Sequence, residues 1–473
     1  MLSACILSLA LGALAPSAPS APAPPDAAAR KKAAAAVLAL AKELAGVSAF
    51  EAARAELRRA IRLDPETATK TLGEIARLAG KPDKVAAGVD VAARVKKSHD
   101  ACGAELAKVA DAASRADRSL DAARVATLLH VEFADSAAAA ASTAKWFAPW
   151  ALFVEQKDVL RLEAGGEFVD GKWLAPDSVK AQDAKHADWD DPWVVSDGVH
   201  EVRTTQPLRV ASAILHRAAA YREMFTGEFA GEWDLAPPAG LLPIIVAKTR
   251  TEMEERMRAF SGESLPPSLG AAFYAKTERA NGPVFVTFET VDVNGRHVVL
   301  TLDQLWFLFQ HELGHQIAWE YGCRGQPKGR PPEHQFWCVE GLANLMAFHE
   351  LGADGVWRLT NPRRQPLGDS AFSDCPGAWC QGHPDEIPKL AEFFARDQAA
   401  ITNIPSYMVA TTLARFLLVG ADRKYRKSAI DLFRAVHSPG KKDGLFEKCF
   451  PGVKVDALDA EFRAFVREMQ IDP

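Results

Sequence analysis

Two histidines and a glutamate in the stretch QHELGHQIAWEYG (310–322) have the residue types and spacing of a metal site. His311 and His315 are four residues apart, so on a helix both imidazoles project from one face and can share an ion. Glu312 follows the first histidine and can reach water bound to that ion. Such a short pattern also arises by chance, and the rest of the sequence must show whether it belongs to a larger site.

A catalytic zinc ion needs three protein ligands and an open position for water. One class of zinc enzymes continues the motif with a glycine and a further histidine, but this chain has Ala318 and Tyr321 at those positions, which excludes that class. Glu340 is the favoured third ligand, because it lies in the apolar stretch FWCVEGLANLMAFHE, where a charge needs a partner. Glu333 and His334, at the edge of a proline-rich loop, remain alternatives.

The segments that must position these residues alternate between strand and helix patterns. Thr301 with Gln304 forms a capping box and Gly322 is suited to a left-handed helix end, so we predict a helix over 302–321. We predict a second helix over 335–350 and, before both, these strands and helices in chain order: strand 199–205, helix 207–229, strand 241–249, helix 250–260, strand 270–278, strand 283–293 and strand 296–302. The last two strands are joined by Asn294-Gly295, a pair typical of hairpins.

The whole chain of 473 residues divides into five segments by composition and pattern. We predict a signal peptide or disordered leader over 1–27, an Ala-rich helical region over 28–145 that weakly resembles tetratricopeptide repeats, and a linker over 146–190 with a hairpin at Asp170-Gly171. A mixed segment over 191–350 and a C-terminal helical subdomain over 351–473 follow. The fold class is therefore α+β, preceded by an all-α region.

Composition and the N-terminus limit the partners and the location. The 56 basic and 61 acidic residues give a net charge of -5 without long runs of one sign, so no nucleic-acid partner is expected. The apolar run from Cys5 to Ala15, followed by small residues and prolines, resembles a secretory signal and is too short to span a membrane. We expect an exported protein, periplasmic, on the cell surface or secreted, without a transmembrane segment and with the N-terminal helices available to a protein partner.

Two cysteine pairs are disulfide candidates in an exported chain. Cys323 and Cys338 flank the loop between the HExxH motif and Glu340, and Cys375 and Cys380 flank the short PGAW segment. Buried free thiols are the equally compatible alternative, since cysteine is among the most buried residue types even when unpaired.

HELGH followed by W-x-x-E-G-L-A, here Trp337–Ala343, resembles the peptidase-MA-like gluzincins. Within them it resembles a family of exported bacterial proteins of unknown function, and the likeness runs roughly from Trp193 to the C-terminus. The resemblance implies a thermolysin-like zincin domain within 191–350. It also implies a zinc metalloendopeptidase that acts on a peptide or protein substrate.

The resemblance further implies one Zn²⁺ per chain held by His311, His315 and Glu340, with Glu312 as general base. Thermolysin-like enzymes carry an aspartate four residues after the ligand glutamate to orient a histidine, whereas this chain has Asn344, a weaker outer partner. The Gly-x-Met-Glu-Asn box of the related aminopeptidases is absent upstream, which argues against an exopeptidase that reads a free amino terminus.

A peptidase also needs a donor for the oxyanion and a surface for the peptide. Tyr407, at the start of PSYMVATTLARFLL, is the first candidate donor and Tyr274 the second. The strand over 283–291 is a candidate edge for an extended substrate. Two other functions stay open: an exported zinc-binding interaction protein without proteolytic activity, and a helical scaffold in which HELGH is accidental.

Overall fold

The structure is a computed structural model. It describes these residues: 26–64, 67–78, 81–169, 171–233, 235, 238, 240–261, 272–276, 281–288, 291–293, 296–298, 302–323, 335–359, 376–401, 403–420, 423–439 and 444–469. The chain is a mixed α and β protein, as predicted, in which helices dominate and the sheets are small. Within the described ranges, no helix is long and apolar enough to cross a membrane.

The N-terminal part consists of helices that pack on one another, as the Ala-rich pattern predicts. Its helices are α1 (Asp26–Gly46), α2 (Phe50–Leu63), α3 (Ala68–Leu78), α4 (Val91–Arg115), α5 (Ser119–Glu132) and α6 (Ala137–Ala141). Asp90 caps α4 by accepting a hydrogen bond from the amide of Ala93, and Ser136 caps α6 in the same way through Ala139. Leucine, valine and alanine side chains fill two small cores between these helices.

Two hairpins and two helices connect this bundle to the main sheet. They are β1 (Lys145–Phe147) with β2 (Leu152–Val154), α7 (Gln156–Glu163), β3 (Glu167–Val169) with β4 (Lys172–Leu174), and α8 (Pro176–Lys185). The pairing of β3 with β4 confirms the hairpin predicted around Gly171, whose φ of +76° suits a glycine in a tight turn. Asp170 lies outside the described residues.

A five-stranded sheet forms the centre of the molecule. Its strands are β5 (Trp193–Ser196), β6 (His200–Thr204), β7 (Leu242–Ala247), β8 (Ala272–Tyr274) and β9 (Val284–Thr287), in the order β5-β6-β7-β9-β8. The pairs β6-β7 and β7-β9 are parallel and the two outer pairs are antiparallel. The helices α9 (Leu208–Glu228) and α10 (Arg250–Ser261) agree with the predicted helices.

The sequence prediction for the strand over 283–293 was wrong in two respects. The segment divides into β9 and a separate strand, β10 (Val291–Val293), which pairs with β11 (Arg296–Val298) in the predicted hairpin. Since β9 lies between β7 and β8, it cannot offer an edge to a peptide, and β8 is the edge strand on this side of the sheet, opposite β5. Asn294 and Gly295 lie outside the described residues. Alternating side chains identify a strand, whereas its place in the sheet depends on non-local pairing.

Two long helices follow the sheet. The first, α11 (Leu302–Cys323), confirms the predicted helix, and the second, α12 (Trp337–Ala347), confirms the core of the predicted 335–350 helix. Gly322 does not end α11 in a left-handed conformation but lies inside it, where a Cβ would lie 3.3 Å from Trp233 Cζ2. Close packing is therefore the reason for this glycine. Thr301, of the predicted capping box, lies outside the described residues.

The C-terminal part begins with a hairpin where we predicted the end of a helix. It contains β12 (His349–Leu351) paired with β13 (Trp357–Leu359), then α13 (Pro376–Gly382), α14 (Leu390–Phe394), α15 (Gln398–Ile401), α16 (Ile404–Val419), α17 (Arg426–His437), α18 (Leu445–Cys449) and α19 (Val455–Glu468). These helices share one hydrophobic core with the sheet, α9, α11 and α12. Segments 191–350 and 351–473 are thus continuous in their packing.

Candidate metal centre

The helix α11 is fixed on the sheet by polar side chains on one side and carries the two histidines on another. The side-chain amide of Gln316 donates to the carbonyl oxygens of Pro243 at 3.0 Å and Gly282 at 2.8 Å. Glu320 accepts from the amide of Gly282 and from the hydroxyl of Tyr274, both at 2.7 Å. These buried hydrogen bonds fix the rotation of α11 about its axis and hence the direction of its other side chains.

The two imidazoles of the motif meet a carboxylate from α12. The Nε2 atoms of His311 and His315 lie 3.0 Å apart, and Glu340 Oε2 lies 3.3 Å from the first and 3.5 Å from the second. Burial acts to raise the pKa of Glu340, but the adjacent His315 and His311 outweigh it and hold that pKa well below its usual value. The carboxylate is therefore charged, and its partners are the two imidazoles, as the apolar surroundings predict.

These three residues form a cluster that could hold a metal ion, with one ligand atom from each and all within 4.8 Å of one another. Ligand atoms about 2.0–2.1 Å from a tetrahedral ion lie about 3.3 Å from each other, which agrees with the 3.0, 3.3 and 3.5 Å measured here. Glu340 Oε2 is buried and accepts no well-formed hydrogen bond from the described residues. An oxygen in that state is suited to a cation, so the residues fit a metal.

Glu312 lies beside the cluster and is held by the edge strand. Its Oε2 accepts a hydrogen bond from the backbone amide of Tyr274 at 2.7 Å, and its Oε1 lies 3.9 Å from His311 Nε2. Burial raises the pKa of Glu312 to about 7, with a further rise from the charge of Glu340 and an opposite effect from His311 and the Tyr274 amide. A carboxylate with this pKa can both take and release a proton near neutral pH.

Tyr407, the first candidate donor, reaches the site from the first turn of α16. Asn403 caps this helix by accepting from the amide of Ser406 at 3.0 Å, and the Asn403 carbonyl accepts from the amide of Tyr407 at 3.0 Å. Burial, and then the charges of Glu340 and Glu312, raise the pKa of the phenol well above its usual value. The hydroxyl is therefore protonated at neutral pH and able to donate.

Tyr274 is not a second donor, which corrects its place in the sequence analysis. Its hydroxyl donates to Glu320 on the far side of α11 and is buried there, so the side chain is directed away from the cluster. What Tyr274 contributes is its backbone amide, which holds Glu312. A backbone contribution of this kind depends on where the strand lies, and no residue type predicts it.

Asn344 does not orient His311, the histidine at the start of the motif. It is buried one helical turn after Glu340, but the Nδ1 atom of His311 has no hydrogen-bond partner among the described residues. The nearest equivalent of an orienting aspartate is thus not engaged with this histidine. Glu333 and His334, the alternative third ligands, lie outside the described residues.

The candidate disulfide between Cys323 and Cys338 is not formed, and both thiols are buried. The Cys323 thiol, at the end of α11, donates to the carbonyl oxygen of His437 at 3.0 Å, so it is directed to α17 instead of α12. Cys380 is also buried and contacts the Thr412 hydroxyl at 3.5 Å, and Cys375 lies outside the described residues.

Two glycines near the ligands are positions of close helix packing that the sequence analysis missed. A Cβ at Gly314, in HELGH, would lie 3.1 Å from Tyr221 Oη and 3.3 Å from Ala343 Cα on α12. A Cβ at Gly341, directly after Glu340, would lie 2.5 Å from the carbonyl oxygen of Ala410 on α16. The signal was a glycine inside each predicted helix, which indicates a close approach of another element.

No protein-family model, no curated protein and no solved structure matches this chain at a significant level. What can be said of the site therefore comes from its own geometry and chemistry.

Proposed function

We propose that the protein is a zinc-dependent metallopeptidase of the gluzincin type. One observation carries the proposal: the Nε2 atoms of His311 and His315 and Glu340 Oε2 converge within 3.5 Å, beside Glu312 with its pKa of about 7. A purely structural zinc site is closed by four ligands and has no use for a base. The sheet with its antiparallel edge strand beside α11 supports the accompanying proposal of a thermolysin-like zincin fold.

Each residue then has a definite task. His311, His315 and Glu340 would hold Zn²⁺, which polarises the scissile carbonyl and activates water when bound. Glu312, held through one oxygen by the Tyr274 amide, takes the proton of the attacking water and delivers it to the leaving amine. Tyr407 donates its hydroxyl proton in a hydrogen bond to the oxygen that becomes negative during attack.

The test compares the wild type with Glu312→Gln, which keeps the shape of the side chain and removes the base. We expect about one zinc per chain in both proteins by elemental analysis, and cleavage of a mixed peptide library by the wild type alone. The variant should be slower by roughly 10²–10⁴-fold, the usual contribution of a general base. A wild type without zinc contradicts the proposal.

The second candidate is an exported zinc-binding interaction protein without peptidase activity. The observation that favours it is the Nδ1 of His311, which has no hydrogen-bond partner among the described residues, since outer hydrogen bonds normally fix the ring of a catalytic ligand. The N-terminal helices would then be the surface for a protein partner. Zinc in both proteins with cleavage by neither supports this candidate.

Export is part of both proposals and has its own test. The apolar run over 5–15 lies outside the described residues and is proposed as a secretory signal. Fractionation of cells expressing the full chain should recover a shortened protein outside the cytoplasm. A full-length protein that stays in the cytoplasm contradicts export and leaves the zinc site untouched.

A further inference from the structure

The backbones of α12 and α16 come into contact next to the third ligand. At Gly341, directly after Glu340, a Cβ would lie 2.5 Å from the carbonyl oxygen of Ala410, 2.9 Å from its carbonyl carbon and 3.3 Å from its Cβ. The first two are backbone atoms inside a helix, so they cannot turn aside as a flexible side chain would. Any other residue at 341 must therefore push the two helices apart.

The same contact determines how close Tyr407 comes to Glu340. Tyr407 precedes Ala410 by three residues, about one turn of α16, and Glu340 is the neighbour of Gly341 on α12. The phenol interacts with the carboxylates of Glu340 and Glu312, which lie on the two helices that carry the cluster, and Glu340 is also its side-chain hydrogen-bond partner. A shift of α16 away from α12 would therefore draw the phenol away from both carboxylates.

We propose that Gly341 is a positioning residue: by letting α12 and α16 touch, it sets the distance between the Tyr407 hydroxyl and the cluster of His311, His315 and Glu340. The effect of Gly341 on the position of Tyr407 does not depend on whether the protein is an enzyme. The catalytic part of the inference rests on the function proposed above, and the experiment separates the two.

The first measurement follows Tyr407 directly in the full-length protein. The chain has 5 tyrosines, so labelling with ¹³Cζ-tyrosine gives few NMR signals, and Tyr407→Phe assigns the relevant one by its loss. We expect Gly341→Ala to move the Tyr407 signal toward that of a solvent-exposed phenol, before and after chelation of metal. The matched control is Gly227→Ala, also in a helix but with nothing within 4 Å of the added Cβ, which should leave the signal in place.

The second measurement tests the catalytic part with a double-mutant cycle. We expect Gly341→Ala to lower cleavage of the peptide library by up to about 10²-fold, as misplacement of a catalytic group by about 1 Å does. In the Tyr407→Phe background the same substitution should have little further effect, because the residue through which it acts is already gone. A glycine needed only for stability would give similar losses in both backgrounds.

The outcomes are distinguishable. A folded Gly341→Ala protein with an unchanged Tyr407 signal overturns the inference, whatever the protein's activity. A moved signal together with equal losses in the two backgrounds overturns its catalytic part alone. If Gly341→Ala does not fold, Ala410→Ser adds one atom to the same contact from α16, and an unmoved Tyr407 signal in that variant overturns the inference.

Discussion

At the residue scale, two buried carboxylates in one small site differ in protonation because their neighbours differ. Glu340 lies against both imidazoles, which keep its pKa low despite burial. Glu312 Oε1 lies 3.9 Å from His311 Nε2, and Glu312 Oε2 accepts one hydrogen bond from a backbone amide. Burial therefore dominates, and the pKa of Glu312 rises to about 7. Separation of two pKa values in this way is how one site obtains a charged ligand and a proton-transferring base.

The ligand assignment predicts which single substitutions remove the metal. We expect His315→Ala and Glu340→Ala each to weaken zinc binding by more than the roughly 10–100-fold that loss of an outer partner costs. The measurement is competition with a zinc indicator dye. Glu333→Ala is the control, because it tests the rival ligand from the loop. Loss of zinc in that variant, with retention in Glu340→Ala, would reverse the assignment.

At the element scale, glycines at two helix contacts set the spacing of the three helices α11, α12 and α16. Gly314 lets α11 approach α12 at Ala343, and Gly341 lets α12 approach α16 at Ala410. The helix α12 is buried along its whole length from Trp337 to Ala347, so it cannot move to relieve an added methyl group. The position of Glu340 between its partners is therefore determined by packing on two sides.

This packing predicts that Gly314→Ala destabilises the protein by about 1–3 kcal/mol, the usual cost of overpacking, and also weakens zinc binding. Tyr221→Phe should restore part of that loss, since the Tyr221 hydroxyl is the atom nearest to the added methyl group, at 3.1 Å. By itself Tyr221→Phe should not destabilise, because this buried hydroxyl has no partner among the described residues. Urea unfolding of the two single variants and the double variant measures the three effects on stability, and competition with a zinc indicator dye measures the effect on zinc binding.

The β3-β4 hairpin gives a pH-dependent prediction away from the metal. Burial raises the pKa of Glu167 from 4.5 to about 7, with Arg209 acting against the rise and Asp183 adding to it. The folded chain thus binds this proton more tightly than the unfolded chain. The contribution is fully present below pH 4.5 and is lost as the pH rises through about 7.

We therefore expect the wild type to lose more stability than Glu167→Gln between pH 5 and pH 8, by on the order of 2 kcal/mol. The other titrating groups are the same in the wild type and in Glu167→Gln, so their contributions cancel in the difference between the two proteins. Urea unfolding at the two pH values is the measurement, and Glu163→Gln, an exposed position in α7, is the control. Equal losses in the wild type and Glu167→Gln would contradict the prediction.

At the scale of the whole molecule, the sheet and the C-terminal helices are one structure. Their buried side chains form a single core, and Arg426 on α17 binds Glu228, the last residue of α9, at 3.0 Å and Glu232, just beyond that helix, at 2.7 Å. The N-terminal bundle packs on this core through the β12-β13 turn, where a Cβ at Gly355 would lie 2.9 Å from Val131 Cγ2. An ion held by α11 and α12 would therefore link elements at the centre of the protein.

Removal of metal should lower the stability of the whole molecule. A ligand present at about 100 times its dissociation constant stabilises the fold by about 2.7 kcal/mol. We expect chelation of the zinc-loaded wild type to lower its melting temperature, as measured by calorimetry, by on the order of 1 °C for each kcal/mol lost, because the entropy of unfolding grows with chain length. The melting temperature of Glu340→Ala should not respond to the chelator, and a response as large as that of the wild type would contradict the assigned site.

The sequence by itself determined the local part of this protein: the helix that carries His311 and His315, the buried charge at Glu340, the β3-β4 and β10-β11 hairpins and the α+β class. These follow from periodicity and from the free energy of burying a charge, both of which act within one element. Only the tertiary structure decided that β8 is the edge strand, that the Tyr274 amide holds Glu312, and that Gly322 serves packing. The physical reason is that each depends on the distance between elements far apart in the chain, which side-chain packing and strand pairing set and which no local pattern records.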